Sequence, residues 1–441
     1  MYNMEGGGKS RSIRLAIYDT PTKVGKALST NLKKAGHIVL FEGLLNKETA
    51  RVDADIWLNK WSFNLKDEFL KQAHPKRGII TLTAGTDHID TKAISGLGLR
   101  LETCPTFSSN SVAELALTLA LRTMHTPFVR PLAPGQLVFS YYSDEYAEPA
   151  VAQIAVRSRQ LEQSLKRTRS FSYFDKDGRR PSEPWKDSEL CSLRIGIVGK
   201  DRKASKLAKM LKSGFGCQLL GDEASTCMRP YNVRQVSLTK LLHDSDYVFM
   251  CTEKNGALHS TMTIVSPSMV MPERHLTGSK VAVLGTGGIG SIIAKAARLG
   301  FNCNVSTFNT TSAPLDSVID GADFVFIALP LNDSTRGIIG KRQLDILAQS
   351  RPVLVNVTRD AIVDSERLLY HLQCGTIRAY GTDVLPDDKK LWSGKEAEAI
   401  TKMFAERPNV FATPHYGDCS KDSLKRMIAE VREKLKIFME G

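Results

Sequence analysis

No apolar run in the 441 residues approaches the ~18 that a membrane-crossing helix needs. Met1 to Arg14 holds Gly6-Gly7-Gly8 and scattered charge where a secretion signal would have an apolar core, so a cytoplasmic protein is the expectation. The eight cysteines (104, 191, 217, 227, 251, 303, 374 and 419) form no C-x-x-C pair. That spacing suits separate reduced thiols and argues against a disulfide framework or a metal site. Also missing are a zinc finger, an RNP-type aromatic motif and a long Lys/Arg block. The net charge of +13 is spread along the chain, densest from Arg157 to Arg180, so nucleic acid is not the expected partner. A basic surplus equally attracts anionic metabolites and dinucleotides. Hydrophobic residues make up 42% and charged residues 24%, as in a soluble globular protein, and the length calls for two or three domains.

Short apolar strands alternate with amphipathic helices over the first 125 residues. Strands are expected at Ile13 to Tyr18, Ile38 to Phe41, Ile56 to Leu58 and Gly78 to Thr83. Helices are expected at Val24 to Lys34, Leu65 to Gln72 and Val112 to Met124. That alternation predicts a parallel sheet covered on both faces. From residue 126 to about 189 the pattern weakens into Pro127, Pro131, Pro134 and Tyr141-Tyr142, with one amphipathic stretch from Ala150 to Lys166. An arm or linker is the expectation there.

An internal repeat follows. Leu193-Arg194-Ile195-Gly196-Ile197-Val198-Gly199 resembles Ser279-Lys280-Val281-Ala282-Val283-Leu284-Gly285, 86 residues on, and Asp246 to Met250 resembles Asp323 to Ile327, 77 residues on. Each unit reads as strand, helix, strand, helix, strand, which predicts two tandem Rossmann-like units.

Gly285-Thr286-Gly287-Gly288-Ile289-Gly290 is a G-x-G-x-x-G turn between an apolar strand and the helix Ser291 to Leu299. The first glycine permits the tight turn, the second close approach of a pyrophosphate, the third close packing of helix on strand. The phosphates then meet free N–H groups and the positive end of the helix. The carboxylate expected about twenty residues on, to hold an adenosine ribose, is replaced by Thr307-Phe308-Asn309-Thr310-Thr311. Without that charge, with Asn309 and Thr310 able to donate, NADP is as admissible as NAD. The earlier copy keeps only Gly199 of the glycine pattern, and Asp201 would turn the wrong charge to a phosphate, although Asp222 stands where a ribose acid belongs. A degenerate, structural or interaction role is the reading for it.

Four further segments carry a resemblance. Ala84-Gly85-Thr86-Asp87-His88-Ile89-Asp90, Asn110-Ser111-Val112-Ala113-Glu114, Val355-Asn356-Val357-Thr358-Arg359 with Ile362-Val363-Asp364, and Pro408 to His415 follow one another in order. Together they resemble the D-isomer-specific 2-hydroxyacid dehydrogenase family over roughly 12–125 and 276–441. The resemblance implies a hydride exchanged between NAD(P)H and the 2-carbon of a small anionic 2-oxo or 2-hydroxy acid. It implies a homodimer as well. Arg359 would hold the substrate oxygens and His415 would exchange the proton, because imidazole titrates near neutral pH. Ala84, Gly85 and Thr86 would offer backbone N–H groups to the substrate carboxylate. Gly285, Gly287, Gly288, Ile289, Gly290, Asn309, Thr310, Thr358 and Asp383 would meet the cofactor. Lys60 and Trp61 fall where the family lines its pocket, or serve only as solvated and packing residues.

Two departures stand out. The family's glutamate partner for the histidine is absent, and Asp388, one methylene shorter, occupies the matching position. Asp360 follows Arg359 in place of a glycine, adding negative charge beside an anion site. These changes, the basic charge and the extra unit leave a second reading open, a dinucleotide-sensing scaffold like the dehydrogenase-related corepressors. A two-lobed hydrolase of the S-adenosylhomocysteine type suits the length but not the T-P-H and N-x-x-R segments. The expected architecture is α/β: a flavodoxin-like substrate lobe over 1–125 completed by 421–441, an arm over 126–189, a degenerate Rossmann-like unit over 190–275 and a doubly wound dinucleotide-binding lobe over 276–420.

Overall fold

A computed structural model describes residues 12–440 except 21, 44, 61–63, 84, 125–136, 141–146, 159–160, 170–187, 200–201, 223–225, 252–263, 266–274, 312–313 and 387–398. Ala84, Trp61, Asp201 and Asp388 therefore lie outside the described residues. The described residues form three wholly parallel sheets, each flanked by helices, as the alternation of strand and helix predicts.

The first sheet uses β1 (Arg14–Tyr18), β2 (Ile38–Gly43), β3 (Ile56–Asn59), β4 (Gly78–Thr81) and β5 (Arg100–Thr103) in the order β2-β1-β3-β4-β5. This is the flavodoxin-like order. Its helices are α1 (Thr22–Lys34), α2 (Asp67–Gln72) and α3 (Thr91–Gly96), the last capped by Asp90, whose carboxylate accepts from Ala93 N. Leu65 begins no helix, because it is held in a bridge to Ile89.

Helix α4 (Ser109–Met124) is buried at every residue from Ser111 to Leu121. A helix apolar all round must be enclosed on all sides. A Cβ built on Gly381 would meet Leu119 Cβ at 3.0 Å, so α4 lies directly on the last sheet.

Inside the stretch read as an arm, β6 (Leu137–Ser140), α5 (Ala147–Ser158) and α6 (Leu161–Arg169) are ordered elements. Strand β6 joins β7 (Arg194–Val198), β8 (Gln218–Asp222), β9 (Arg234–Val236), β10 (Tyr247–Met250) and β11 (Ile264–Val265) in the order β11-β6-β10-β7-β8-β9. Helices α7 (Arg202–Lys209), continued by a wider turn over Met210–Gly214, and α8 (Leu238–Asp244) complete this middle unit.

The last sheet runs β13-β12-β14-β15-β16-β17, from β12 (Lys280–Leu284), β13 (Asn304–Phe308), β14 (Phe324–Ile327), β15 (Val353–Asn356), β16 (Ala379–Thr382) and β17 (Val410–Ala412). With it go α9 (Gly288–Phe301), α10 (Leu315–Ile319), α11 (Lys341–Leu347), α12 (Ser365–Cys374) and α13 (Ala399–Ala405). The final helix, α14 (Lys421–Glu440), returns to the first lobe, where Arg77 donates to Phe438 O and Arg100 lies over the Phe438 ring. None of the described helices is long and apolar enough to cross a membrane.

One buried acid in the first lobe gives stability a pH dependence. Asp19, at the end of β1, accepts from Leu45 N through Oδ1, while Oδ2 is buried without a hydrogen-bond partner among the described residues. Burial pushes this carboxyl up to about 7. The folded state therefore holds its proton more tightly than the unfolded chain, so the contribution is most favourable below about pH 4 and is lost as pH rises towards 7. Asn keeps the acceptor, tolerates the φ of +58° at this position and cannot ionise. Asp19→Asn should stabilise the protein more at pH 8 than at pH 5, read from urea midpoints at the two pH values. Equal shifts at both would remove Asp19 as the source.

Candidate active site

The glycine turn between β12 and α9 is built as its spacing requires. Gly285 has φ +112°, and a Cβ there would meet Ala328 O at 2.4 Å. A Cβ on Gly290 would meet Gly285 O at 1.8 Å. Gly287, the residue capping α9, has nothing within 4 Å of its Cβ position and borders open space. The chain thus keeps a vacant approach to backbone N–H groups at a helix start, which fits a diphosphate. At the end of β13, Asn309 Oδ1 accepts from Thr311 N and Oγ1, its Nδ2 donates to Thr286 Oγ1 at 3.4 Å, and Thr310 is exposed.

In front of this turn lies a cleft of about 610 Å³ between the first and last sheets. Gly85, Thr86 and Asp87 enter from the loop after β4, Ser109 and Val112 from the start of α4, and Thr358 and Arg359 from the loop after β15. Asp383, His415 and Asp418 close the far wall.

Each of these side chains has a local reason for its position. Asn356, fully buried at the end of β15, accepts from Thr358 N and Oγ1 and donates through Nδ2 to Arg359 O at 2.9 Å. That Asx turn explains the N-x-x-R spacing, because it throws residue 359 back over the sheet edge. The Arg359 fork donates from Nε and Nη2 to the Asp87 carboxylate, at 3.2 and 3.1 Å, and from Nη1 to Thr358 O. A bidentate pair of this kind fixes the guanidinium plane. On the opposite loop, Thr81, Thr83 and His88 share hydroxyl and imidazole contacts under Gly85, and Thr83 Oγ1 donates to Gly85 O at 2.7 Å.

His415 sits at φ +51°, a conformation that disfavours most side chains and needs support from its surroundings. The support comes from Asp383. Its carboxylate accepts from Thr413 Oγ1 at 2.6 Å, Tyr416 N at 3.0 Å and Gly417 N at 2.8 Å, tying down both flanks of His415. Burial pushes the Asp383 carboxyl up to about 6, against the pull of those three donors. Beyond it, Lys60 Nζ forms a buried ion pair with Asp418 at 2.6 Å, linking the end of β3 to the loop after His415.

Residues 258–417 match the family model described as D-isomer specific 2-hydroxyacid dehydrogenase, NAD binding domain. Over that stretch the chain is similar to the D-isomer-specific 2-hydroxyacid dehydrogenase family. Curated relatives include glyoxylate/hydroxypyruvate reductase B of Pectobacterium atrosepticum, 31% identical over 173 residues, which cover 36% of this chain and 51% of that protein. The protein of the same name from Serratia proteamaculans is 32% identical over 155 residues, covering 32% and 45%. The chain thus spans about half the length of the curated relatives it matches. Among solved structures, the NADPH-dependent glyoxylate/hydroxypyruvate reductase of Sinorhizobium meliloti, in complex with NADP and malonate, aligns with TM-score 0.55 at 15% identity over 97% of this chain and 93% of that one. The NAD-dependent formate dehydrogenase of Staphylococcus aureus, in complex with NAD, aligns with TM-score 0.54 at 15% identity over 97% and 95%. At such identities the shared property is the fold.

Arg359, His415, Gly85, Thr86, Thr358, Asp383, Gly287, Gly288 and Ile289 border one cleft, while Gly285, Gly290, Asn309 and Thr310 stand outside its lining. Asp360 opens a short turn over Asp360–Ile362 and does not line the cleft. Asp87 and Asp418 were not singled out as site residues, though Asp87 lies within the quoted G-T-D-H-I-D segment. Asp87 reaches Arg359 across 272 residues of sequence and Asp418 reaches Lys60 across more than 350, separations that no local pattern reports.

Proposed function

We propose that the cleft takes a reduced nicotinamide dinucleotide over the Gly285–Gly290 turn and a small 2-oxo acid between Arg359 and His415, and reduces the acid to its 2-hydroxy form. The observation that carries this reading is the convergence of Arg359 and His415 in the cleft that the vacant side of Gly287 adjoins. When bound, the nicotinamide supplies the hydride for carbon 2. Arg359 binds the substrate carboxylate and polarises the 2-oxo oxygen, sharing its donors with Asp87. His415 gives its ring proton to the oxygen that gains charge. Asp383 fixes the backbone on either side of that imidazole, and Asp388 is the carboxylate that the family resemblance assigns to orient it. Backbone N–H groups of Gly85 and Thr86 face the carboxylate end, and Val112 and Leu329 exclude water. With no acid at the end of β13, the site accepts NADP as well as NAD.

Arg359→Ala tests the assignment. With NADH or NADPH and a panel including glyoxylate and hydroxypyruvate, the variant should show KM for the acid raised by about 10²-fold or more, since a charge-assisted bidentate contact is lost. Dinucleotide binding should be unchanged. An unaltered KM would remove Arg359 from the substrate site. The pairing of Arg359 Nε and Nη2 with Asp87 also favours a second reading, a protein that binds dinucleotide without turnover; dinucleotide binding with no oxidation across the panel would establish it.

A further inference from the structure

The repeat units do not merely follow one another; their equivalent residues touch. Gly214 and Gly300 stand 86 positions apart, the offset of the repeat, and a Cβ on Gly300 would lie 2.6 Å from Gly214 Cα. Phe215 and Phe301, at the same offset, meet edge to face with ring centroids 6.0 Å apart and planes at 83°. Contacts between a residue and its own counterpart arise when two units are related by a two-fold axis, and a head-to-tail stack brings unlike faces together.

A second set of contacts is reciprocal. Glu114 lies on α4, which packs on the last sheet, and its Oε2 accepts from Leu190 N, at the start of the middle unit, at 2.7 Å. Glu148 lies on α5, which packs on α7 of the middle unit, and accepts from Leu276 N and Thr277 N, at the start of the last unit, both at 2.8 Å. Leu190 and Leu276 are again 86 residues apart. The two helices share the sequence Ala-Glu at 113–114 and 147–148, followed in each by an apolar stretch ending in an arginine and a hydroxyl residue. Both glutamates are buried. Each unit thus lends a helix whose acid caps the start of the other, as the two subunits of a closed pair would.

What the middle unit has kept and lost points the same way. It retains Gly214, Phe215, Glu148 and Leu190 at the contact. Where the last unit has Gly287 and Gly290 at the diphosphate turn, it has Asp201 and Ala204. Contact residues survive and cofactor residues do not.

We infer that the middle unit occupies, within a single chain, the place of a second copy, so that the molecule is an internal pseudo-dimer with one working cleft. The partner on the α9 face is the chain's own turn Met210–Gly214 with Phe215, and that face is closed to other copies. The pairing also braces α4, whose first turn supplies Ser109 and Val112 to the cleft.

The full-length protein, prepared as a mixture of copies labelled with light and with heavy nitrogen, tests this with a lysine-reactive cross-linker and mass spectrometry. Lys209 on α7 reaches the contact, its Nζ bonding to Asn302 Oδ1 just past α9; Lys206 stands one turn earlier on α7, and Lys295 two turns before Asn302 on α9. Links from residue 206 or 209 to residue 295 are expected, all within copies of one label. Mixed-label links joining 206 or 209 to 295, mixed-label links joining 295 to 295, or the absence of the within-copy links would each overturn the inference.

Discussion

His415→Ala should lower kcat for 2-oxo acid reduction by about 10²–10⁴-fold while leaving the affinity for the dinucleotide within a factor of a few. On the proposed reading His415 is the proton donor, and among the described residues no other imidazole lines the cleft. The neighbouring His88 is buried beneath the loop after β4, held at Thr81, and cannot substitute. A loss confined to KM would mean that the imidazole only binds substrate. The supporting shell predicts a distinct phenotype for Thr413, which donates to Asp383 at 2.6 Å. Thr413→Val removes that donor, frees one flank of His415 and should reduce kcat less than the alanine at 415 does. Stopped-flow or steady-state nicotinamide absorbance reads both.

The second large effect separates two glycines that a motif treats alike. Gly290→Ala places a methyl group 1.8 Å from Gly285 O, a backbone atom that cannot yield without opening the turn. Dinucleotide affinity and stability should fall together, the affinity by about 10²-fold or more, the scale of a site displaced by about 1 Å. Gly287→Ala meets nothing within 4 Å, so the fold should melt at the wild-type temperature. On the proposed reading its methyl group intrudes only on the space of the diphosphate, and affinity alone should drop. Calorimetric melting beside dinucleotide titration distinguishes the pair. Unchanged affinity in Gly287→Ala would show that the space beside that residue is not a phosphate site.

These expectations differ in how much of them sequence could supply. The glycine turn was legible as a motif between strand and helix, although only Gly290, against Gly285 O, answers a neighbour within five residues, and Gly285 answers Ala328. The flavodoxin-like first lobe and the last sheet were legible too, since strand and helix alternate there with clear apolar periods. Strand β6 was not. It is four residues long, set among prolines, and owes its conformation to pairing with β10 and β11 more than a hundred residues on. The Arg359–Asp87 and Lys60–Asp418 pairs were hidden for the same reason, since each joins two lobes across most of the chain. The repeat was visible as two similar strands, yet only the packing of Gly214 on Gly300 reveals that the copies face one another. Asp383 was read as a nicotinamide-side residue, and its three hydrogen bonds to the loop 413–417 add a task that sequence position alone did not announce.

The most direct test uses dinucleotide deuterated at carbon 4 of the reduced nicotinamide, incubated with the wild-type protein and glyoxylate or hydroxypyruvate. The account predicts a 2-hydroxy acid carrying deuterium on carbon 2, with formation lost in His415→Ala. Product without that label, or dinucleotide bound and unconsumed with either acid, would contradict it.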